Sequence, residues 1–191
     1  MVKAIIGLTG SLGSGKEIAA EHIKKHFSCF YVKLSDVLRN EIEKKRKGMS
    51  RKLLQDSGDE MRSMYGGHVL AKVSIEYLPR NRDLIVLDGI RNPGEIEYLK
   101  NNFGETFFLI AVDSKPEMRF ERMSKRGRKD DPKTWEEFLE MDSRDQGSGQ
   151  PDYGQQTRRC MDKANFTVEN DGSPEEFLAK VDEIIKKILS G

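Results

Sequence analysis

Cysteine and tryptophan are scarce in this chain, and neither sign of charge dominates. The 191 residues hold two cysteines, Cys29 and Cys160, which form neither a disulfide framework nor a metal-ligand pattern. Each reads as a small, half-buried apolar residue. Lys plus Arg total 33 and Asp plus Glu 32, a net charge of +1. General nucleic-acid binders carry a larger positive excess, so this balance argues against a nucleic-acid partner while leaving room for a local basic cleft. No apolar run approaches the ~20 residues of a membrane span, so no membrane partner is expected. Residues 1–7 run straight into a glycine-rich turn without the layout of a signal peptide, which sets the expectation of a cytoplasmic protein. Internal repeats, low-complexity tracts and dividing linkers are absent too. At ~150 residues per domain, the length suggests one domain.

What the chain does have is alternation. Residues 3–9, 29–34, 84–88 (LIVLD), 106–112 (TFFLIAV) and 166–169 read as strands, the central ones too apolar to face water on either side. Helical spacing is expected over 15–27, 35–47, 50–64, 69–78, 116–125, 135–144 and 155–163, with another helix opening at Pro93. Ser35 or Asp36 reads as an N-cap and Gly48 as a stop after the charged run 43–47. The last helix carries Phe177, Leu178, Val181, Ile184, Ile185, Ile188 and Leu189 on one face. Residues 146–154, rich in Gly, Ser, Gln and Pro, read as a mobile loop. The expected fold is therefore α/β: three layers, with a five-stranded parallel sheet covered by helices on both faces. Within it, 36–80 is expected to form an acceptor-binding helical region and 119–159 a short helical lid. Ligands of such sheets sit beyond the carboxyl ends of the strands.

Directly after the first strand comes Gly10-Ser11-Leu12-Gly13-Ser14-Gly15-Lys16, the GxxxxGK spacing of a P-loop in the strand-to-helix setting it needs. Glycines let successive N–H groups turn inward on a phosphate, and the following helix adds partial positive charge. Lys16 would bridge the β- and γ-phosphates of ATP. The hydroxyl that normally follows the lysine and binds Mg2+ is missing. Glu17 and Ile18 stand there instead. Glu17 either holds a hydrated magnesium through water or points to solvent, and the nucleotide-binding set is taken as 10–18.

The other strand ends carry charge. Asp88, ending LIVLD, suits a carboxylate that orients Mg2+ through water. Arg91 follows in Asp88-Gly89-Ile90-Arg91. After the second strand, Asp36 and Arg39 share a helix face, with Arg39 suited to the phosphate of a second substrate. After the fourth strand, Arg119, Arg122, Arg126 and Arg128 precede Asp130 and Asp131. Mobile arginines of this kind neutralise a transferring phosphoryl group while a lid excludes water. Arg144 is a further candidate clamp. After the fifth strand, Asn170 and Gly172 lie in a turn placed to flank a purine ring.

These segments resemble the nucleoside and nucleotide monophosphate kinase group of P-loop proteins over nearly the whole chain. Asp36-Val37-Leu38-Arg39 is similar to the GD-x-LR motif of adenylate-kinase-like enzymes, Asp88-Gly89-Ile90-Arg91 to their DGFPR without the proline, and Arg128-Lys129-Asp130-Asp131 to the R-x-DD end of their lid. DGIRNPGEIEYL, RFERMSKRGRKDDPKTWEEF and DYGQQTRRCMDKAN resemble a narrower kinase-like family that includes archaeal adenylate-kinase-related proteins and the P-loop region preceding deoxycytidylate-deaminase-like domains. GLTGSLGSGK and NDGS also resemble dephospho-coenzyme-A kinase. The resemblance implies ATP and Mg2+ as cofactors and a small nucleotide as acceptor. Lys16, Asp88, Arg122, Arg126 and Arg128 would take catalytic roles, and Asp36, Arg39, Arg91 and Arg144 would bind the acceptor. Two alternatives are a dephospho-coenzyme-A kinase and a nucleotide-binding switch without efficient turnover.

Overall fold

The computed structural model describes residues 2–44, 50–79 and 81–191, the side chains of 41–44 excepted. Five strands form one all-parallel sheet: β1 (Ala4–Gly10), β2 (Cys29–Lys33), β3 (Leu84–Asp88), β4 (Phe107–Asp113) and β5 (Phe166–Glu169). Their order is β2-β3-β1-β4-β5. The chain crosses from one side of β1 to the other between β3 and β4, which opens a crevice at the carboxyl edge beside β1.

Strand side chains alternate between faces, and both faces are covered. Ile6, Leu8, Val86, Ile110 and Val112 pack against α1 (Lys16–His26) and α9 (Pro174–Ser190), which bring Ala19, Ile23, Phe177, Val181 and Ile185. Ile5, Ile85, Leu87 and Leu109 face the other way, with Leu34 and Leu38 of α2 (Leu34–Lys44), Leu70 of α4 (Val69–Ile75), Ile96 of α5 (Pro93–Phe103) and Cys160 of α8 (Thr157–Met161). This two-sided burial explains why LIVLD is apolar without alternation. Each buried Ile, Leu or Val contributes about 1.5–3 kcal/mol. α3 (Arg51–Tyr65) is capped by Ser50, whose side chain accepts from the Leu53 amide, and stands beside α2 and α4.

A third apolar cluster carries the lid. α6 (Pro116–Arg126) and α7 (Trp135–Gln146) close around Met123, Phe138, Phe120 and Trp135. Leu12, from the glycine-rich loop itself, inserts among them. The lid helices are thus packed onto the loop that they would cover.

Two local expectations change and a third falls outside the described residues. Helix α2 starts at Leu34, so Ser35 and Asp36 lie in its first turn and neither is its N-cap: β2 runs straight into the helix. The expected stop at Gly48 lies outside the described residues, as do the side chains of Glu43 and Lys44 and the rest of that charged run. The segment after α7 is fastened. Asn92 Nδ2 donates to the carbonyls of Asp152 and Gly154 at 2.8 and 2.9 Å, and the Gln156 amide donates to the Arg91 carbonyl at 2.7 Å.

Candidate functional site

The loop between β1 and α1 is built to surround something. Gly13 and Gly15 have φ of 78° and 98°, in the left-handed region that favours glycine. A Cβ on Gly15 would lie 2.3 Å from Asn170 Nδ2. That amide donates to the Ser14 carbonyl at 2.8 Å, so the glycine lets Asn170 strap the loop. Other fasteners come from β4 and the lid. Ser11 donates to Asp113 at 2.6 Å, and Arg119 donates to the Leu12 carbonyl at 3.0 Å while pairing with Asp142. Arg119 is therefore occupied in holding the loop. The buried Ser14 hydroxyl has no hydrogen-bond partner among the described residues. A rigid loop with an unanswered polar atom fits a phosphate ligand.

Lys16 turns from this loop to Asp88 at the end of β3, and the two form an ion pair. Asp88 is 0% exposed, and its second oxygen accepts from the Tyr31 hydroxyl at 2.6 Å. Burial, then the Asp88 charge and hydrogen bond, push the Tyr31 phenol up, so it stays a donor. Strand register explains the meeting: Asp88 pairs with Leu8 of β1 on one side and with Lys33 of β2 on the other.

Glu17 does not point to solvent alone. It lies 2.8 Å from Arg128, 3.4 Å from Lys33 and 3.9 Å from Arg126. Burial opposes its charge, but the Arg128 hydrogen bond and the charges of Lys33, Arg128 and Lys16 outweigh that and bring it down to about 2. Arg126 also grips Asp131 at 2.9 and 2.6 Å.

Opposite the P-loop, a cavity of about 280 Å³ opens among α2, α3, α4 and the lid. Its wall includes Lys16, Glu17, Lys33, Arg39, Arg51, Arg62, Arg91 and Arg128. Arg91 is held from behind by Asp145, whose charge is the main reason its guanidinium is raised. Arg51 is lowered by burial and by the cations Arg91 and Arg126. Arg51 and Arg91 both line the cavity and repel one another, with Asp145 and Asp131 offsetting part of that charge, which suits an anion between them.

The expected residues separate into groups. Lys16, Glu17, Arg39, Arg91 and Arg128 come together on the cavity wall, with Asp88 behind Lys16. Arg126 stands next to them through Glu17. Asp36 is 3.7 Å from Arg39 Nε and outside the cavity lining. Arg122 lies apart, donating to Ser114 Oγ at 2.9 Å and to the Asn170 carbonyl at 2.5 Å. It ties the β4 and β5 ends together, against its expected catalytic place. Arg144 is also outside the lining. It bridges Asp56 and Asp59 at 2.6 and 3.2 Å, joining α7 to α3. Asn170 straps the loop, Gly172 makes room for Glu176 in the α9 capping box, and Ile18 is exposed on α1. Tyr31, Lys33, Arg51 and Arg62 were not singled out from the sequence. Lys33 alone had a usable signal, a cation at the end of a strand.

The fold and this site define a P-loop kinase-like nucleotide-binding protein. The chain belongs to the AAA domain family, whose model matches residues 9–138, and to the UPF0200 proteins. A UPF0200 protein of Methanocaldococcus jannaschii is 32% identical over 189 residues, covering 97% of this chain and 91% of that one. Another, from Sulfurisphaera tokodaii, is 35% identical over 185 residues, covering 97% of each. Among solved structures, TT1252 from Thermus thermophilus superposes with a TM-score of 0.63 at 19% identity over 98% of both chains. A gluconokinase from Sinorhizobium meliloti gives 0.56 at 12% identity, covering 98% of this chain and 94% of that one. These structural likenesses concern the fold. Among the described residues no helix is long and apolar enough to cross a membrane.

Proposed function

We propose that this chain transfers the γ-phosphoryl group of ATP to the phosphate of a nucleoside monophosphate or deoxynucleotide. The observation that carries this reading is the convergence of four elements on one cavity: Lys16 from the P-loop, Arg39 from α2, Arg91 from the turn after β3, and Arg128 from the lid. ATP phosphates would occupy the loop between Gly10 and Lys16, and Lys16 would exchange Asp88 for the β- and γ-phosphates. Arg39 and Arg91 would hold the acceptor phosphate. An acceptor oxygen then attacks the γ-phosphorus in line, the bond to the ADP oxygen breaks, and the arginines carry the spread charge. Positioning and charge neutralisation suffice, so no protein nucleophile is required. Magnesium would arrive with the phosphates and keep several waters, as it usually does, and Asp88, once released by Lys16, would be the carboxylate that orients them.

Formation of ADP from Mg-ATP, measured against a panel of monophosphates, deoxynucleotides and dephospho-coenzyme A, tests this reading. Lys16-dependent turnover with one class of acceptor is expected. Activity that survives Lys16→Ala unchanged would place the chemistry elsewhere. Glu17 favours a second reading, a nucleotide-binding switch. It occupies the position of the metal-binding hydroxyl and holds Arg128 and Lys33. ATP binding without transfer to any acceptor, with turnover rising in Glu17→Ser, would support the switch.

A further inference from the structure

The acceptor cavity has two chemically different ends. Lys16 and Arg91 stand beyond the ends of β1 and β3. Away from them the wall comes from helices: Leu38 and Arg39 of α2, Arg51 and Leu54 of α3, and Leu70 of α4. Of the guanidiniums on this helical wall Arg62 is the most deeply buried, 2% exposed.

Arg62 is only partly satisfied. Its Nε and Nη2 donate to Glu95 Oε1 at 3.2 and 3.0 Å. Its Nη1 is 3.6 Å from Asp59 Oδ1 and has no hydrogen-bond partner among the described residues. Buried donors without partners are rare, and each calls for an explanation. The charge of Arg62 is already answered by two carboxylates, so an anion arriving here would face Glu95 and Asp59. What remains on offer is the Nη1 donor, beside an Asp59 Oδ1 that also lacks a hydrogen-bond partner among the described residues, a place that suits a neutral group better than an anion.

Gly58 adds an independent observation. It lies inside α3, where glycine is less favourable than alanine, and the helix does not need it there. A Cβ at this position would sit 3.2 Å from Arg62 Nη1 and 3.3 Å from Leu38 Cδ1. The missing side chain leaves room beside the unpaired donor, which is itself buried.

We propose that Arg62 reads the base of the acceptor. Its Nη1 donates to a ring carbonyl oxygen of guanine, cytosine, uracil or thymine, with the ring flanked by Leu38, Leu54 and Leu70. Adenine, which carries an amino group and no carbonyl, is discriminated against because it leaves that buried donor without its strongest acceptor. This assignment rests on the proposed acceptor class and names which members of it fit.

Calorimetric dissociation constants of GMP, CMP, UMP and AMP for the whole protein, with ATP as the reference ligand, test it. At least one carbonyl-bearing monophosphate should bind roughly 10- to 100-fold more tightly than AMP, the usual range for one hydrogen bond to a charged group. Arg62→Lys, which keeps a cation for Glu95 but removes the second arm, should erase most of that difference. Gly58→Ala provides a variant that leaves the buried ion pair in place. It should weaken the preferred monophosphate several-fold while ATP binds as before. AMP binding as tightly as the others, or a preference that persists in both variants, would overturn the assignment alone. ATP binding with no monophosphate bound at all would overturn the proposed acceptor class and this assignment with it.

Discussion

The P-loop wall of the cavity and the lid wall are both held by ion pairs, yet the pairs differ in kind. Away from the lid the carboxylates are buried: beside the P-loop Asp88 takes Lys16 and Tyr31, and across the cavity Glu95 takes Arg62. On the lid wall, Glu17 and Arg128 are 44% and 54% exposed at their side chains. A buried charge stripped of its partner is costly, whereas an exposed pair contributes little and exchanges partners readily. The buried pairs therefore fix geometry, and the lid wall keeps arginines available for an incoming phosphate.

The sharpest way to break this contrast is Glu95→Ala. It strands the Arg62 guanidinium and removes the acceptor of the Arg91 and Asn92 amides, now at 2.7 and 3.1 Å. Urea unfolding should show a loss of about 3–5 kcal/mol. A loss below ~1 kcal/mol would make this pair no stronger than a surface one. Lys16→Ala should lower phosphotransfer by roughly 100- to 1,000-fold, as expected for removal of one preorganised charge. Steady-state kinetics with ATP varied would read it. Tyr31→Phe removes a 2.6 Å hydrogen bond to a carboxylate, a change of about 1.5–3 kcal/mol in thermal or urea stability. Unaltered stability would show that Lys16 alone holds Asp88.

The smallest effect belongs to the lid. Glu17→Gln should cost less than ~1 kcal/mol, because the pair is screened by solvent. Its pH dependence is specific. The folded protein lowers Glu17 from 4.5 to about 2, so its ionised form stabilises the fold fully above pH ~5, and that contribution disappears as pH falls toward 2. The difference between wild type and Glu17→Gln in urea should therefore shrink across that window. A gap that stays constant from neutral pH down to the lower end would contradict the ion pairing.

Much of the fold was legible because burial is written into composition. LIVLD has no polar alternation, and it proved to be a strand covered on both faces. The P-loop was legible because its glycines and lysine are consecutive in the chain. The far side of the site was not. Arg62 lies on an amphipathic helix and looks like any surface arginine until α5 supplies Glu95, which is 33 positions away. Tyr31 and Asp88 are separated by 57 positions, and only the pairing of β2 with β3 brings them together. Arg122 and Arg144 show the reverse. Both are candidate phosphate clamps in the sequence, Arg122 by its spacing and Arg144 on weaker grounds, yet nearby hydroxyl, carbonyl and carboxylate oxygens engage both. An arginine's role depends on which oxygen lies nearest, and that is settled by the packing of distant elements.

Transfer of label from γ-labelled ATP to a nucleoside monophosphate, followed in wild type and in Lys16→Ala, tests the central claim most directly, because it separates transfer from hydrolysis. The geometry requires label on the acceptor in wild type and little or none in the variant. Label recovered only as inorganic phosphate, or label on the acceptor in both proteins, would contradict the cavity's role in phosphoryl transfer.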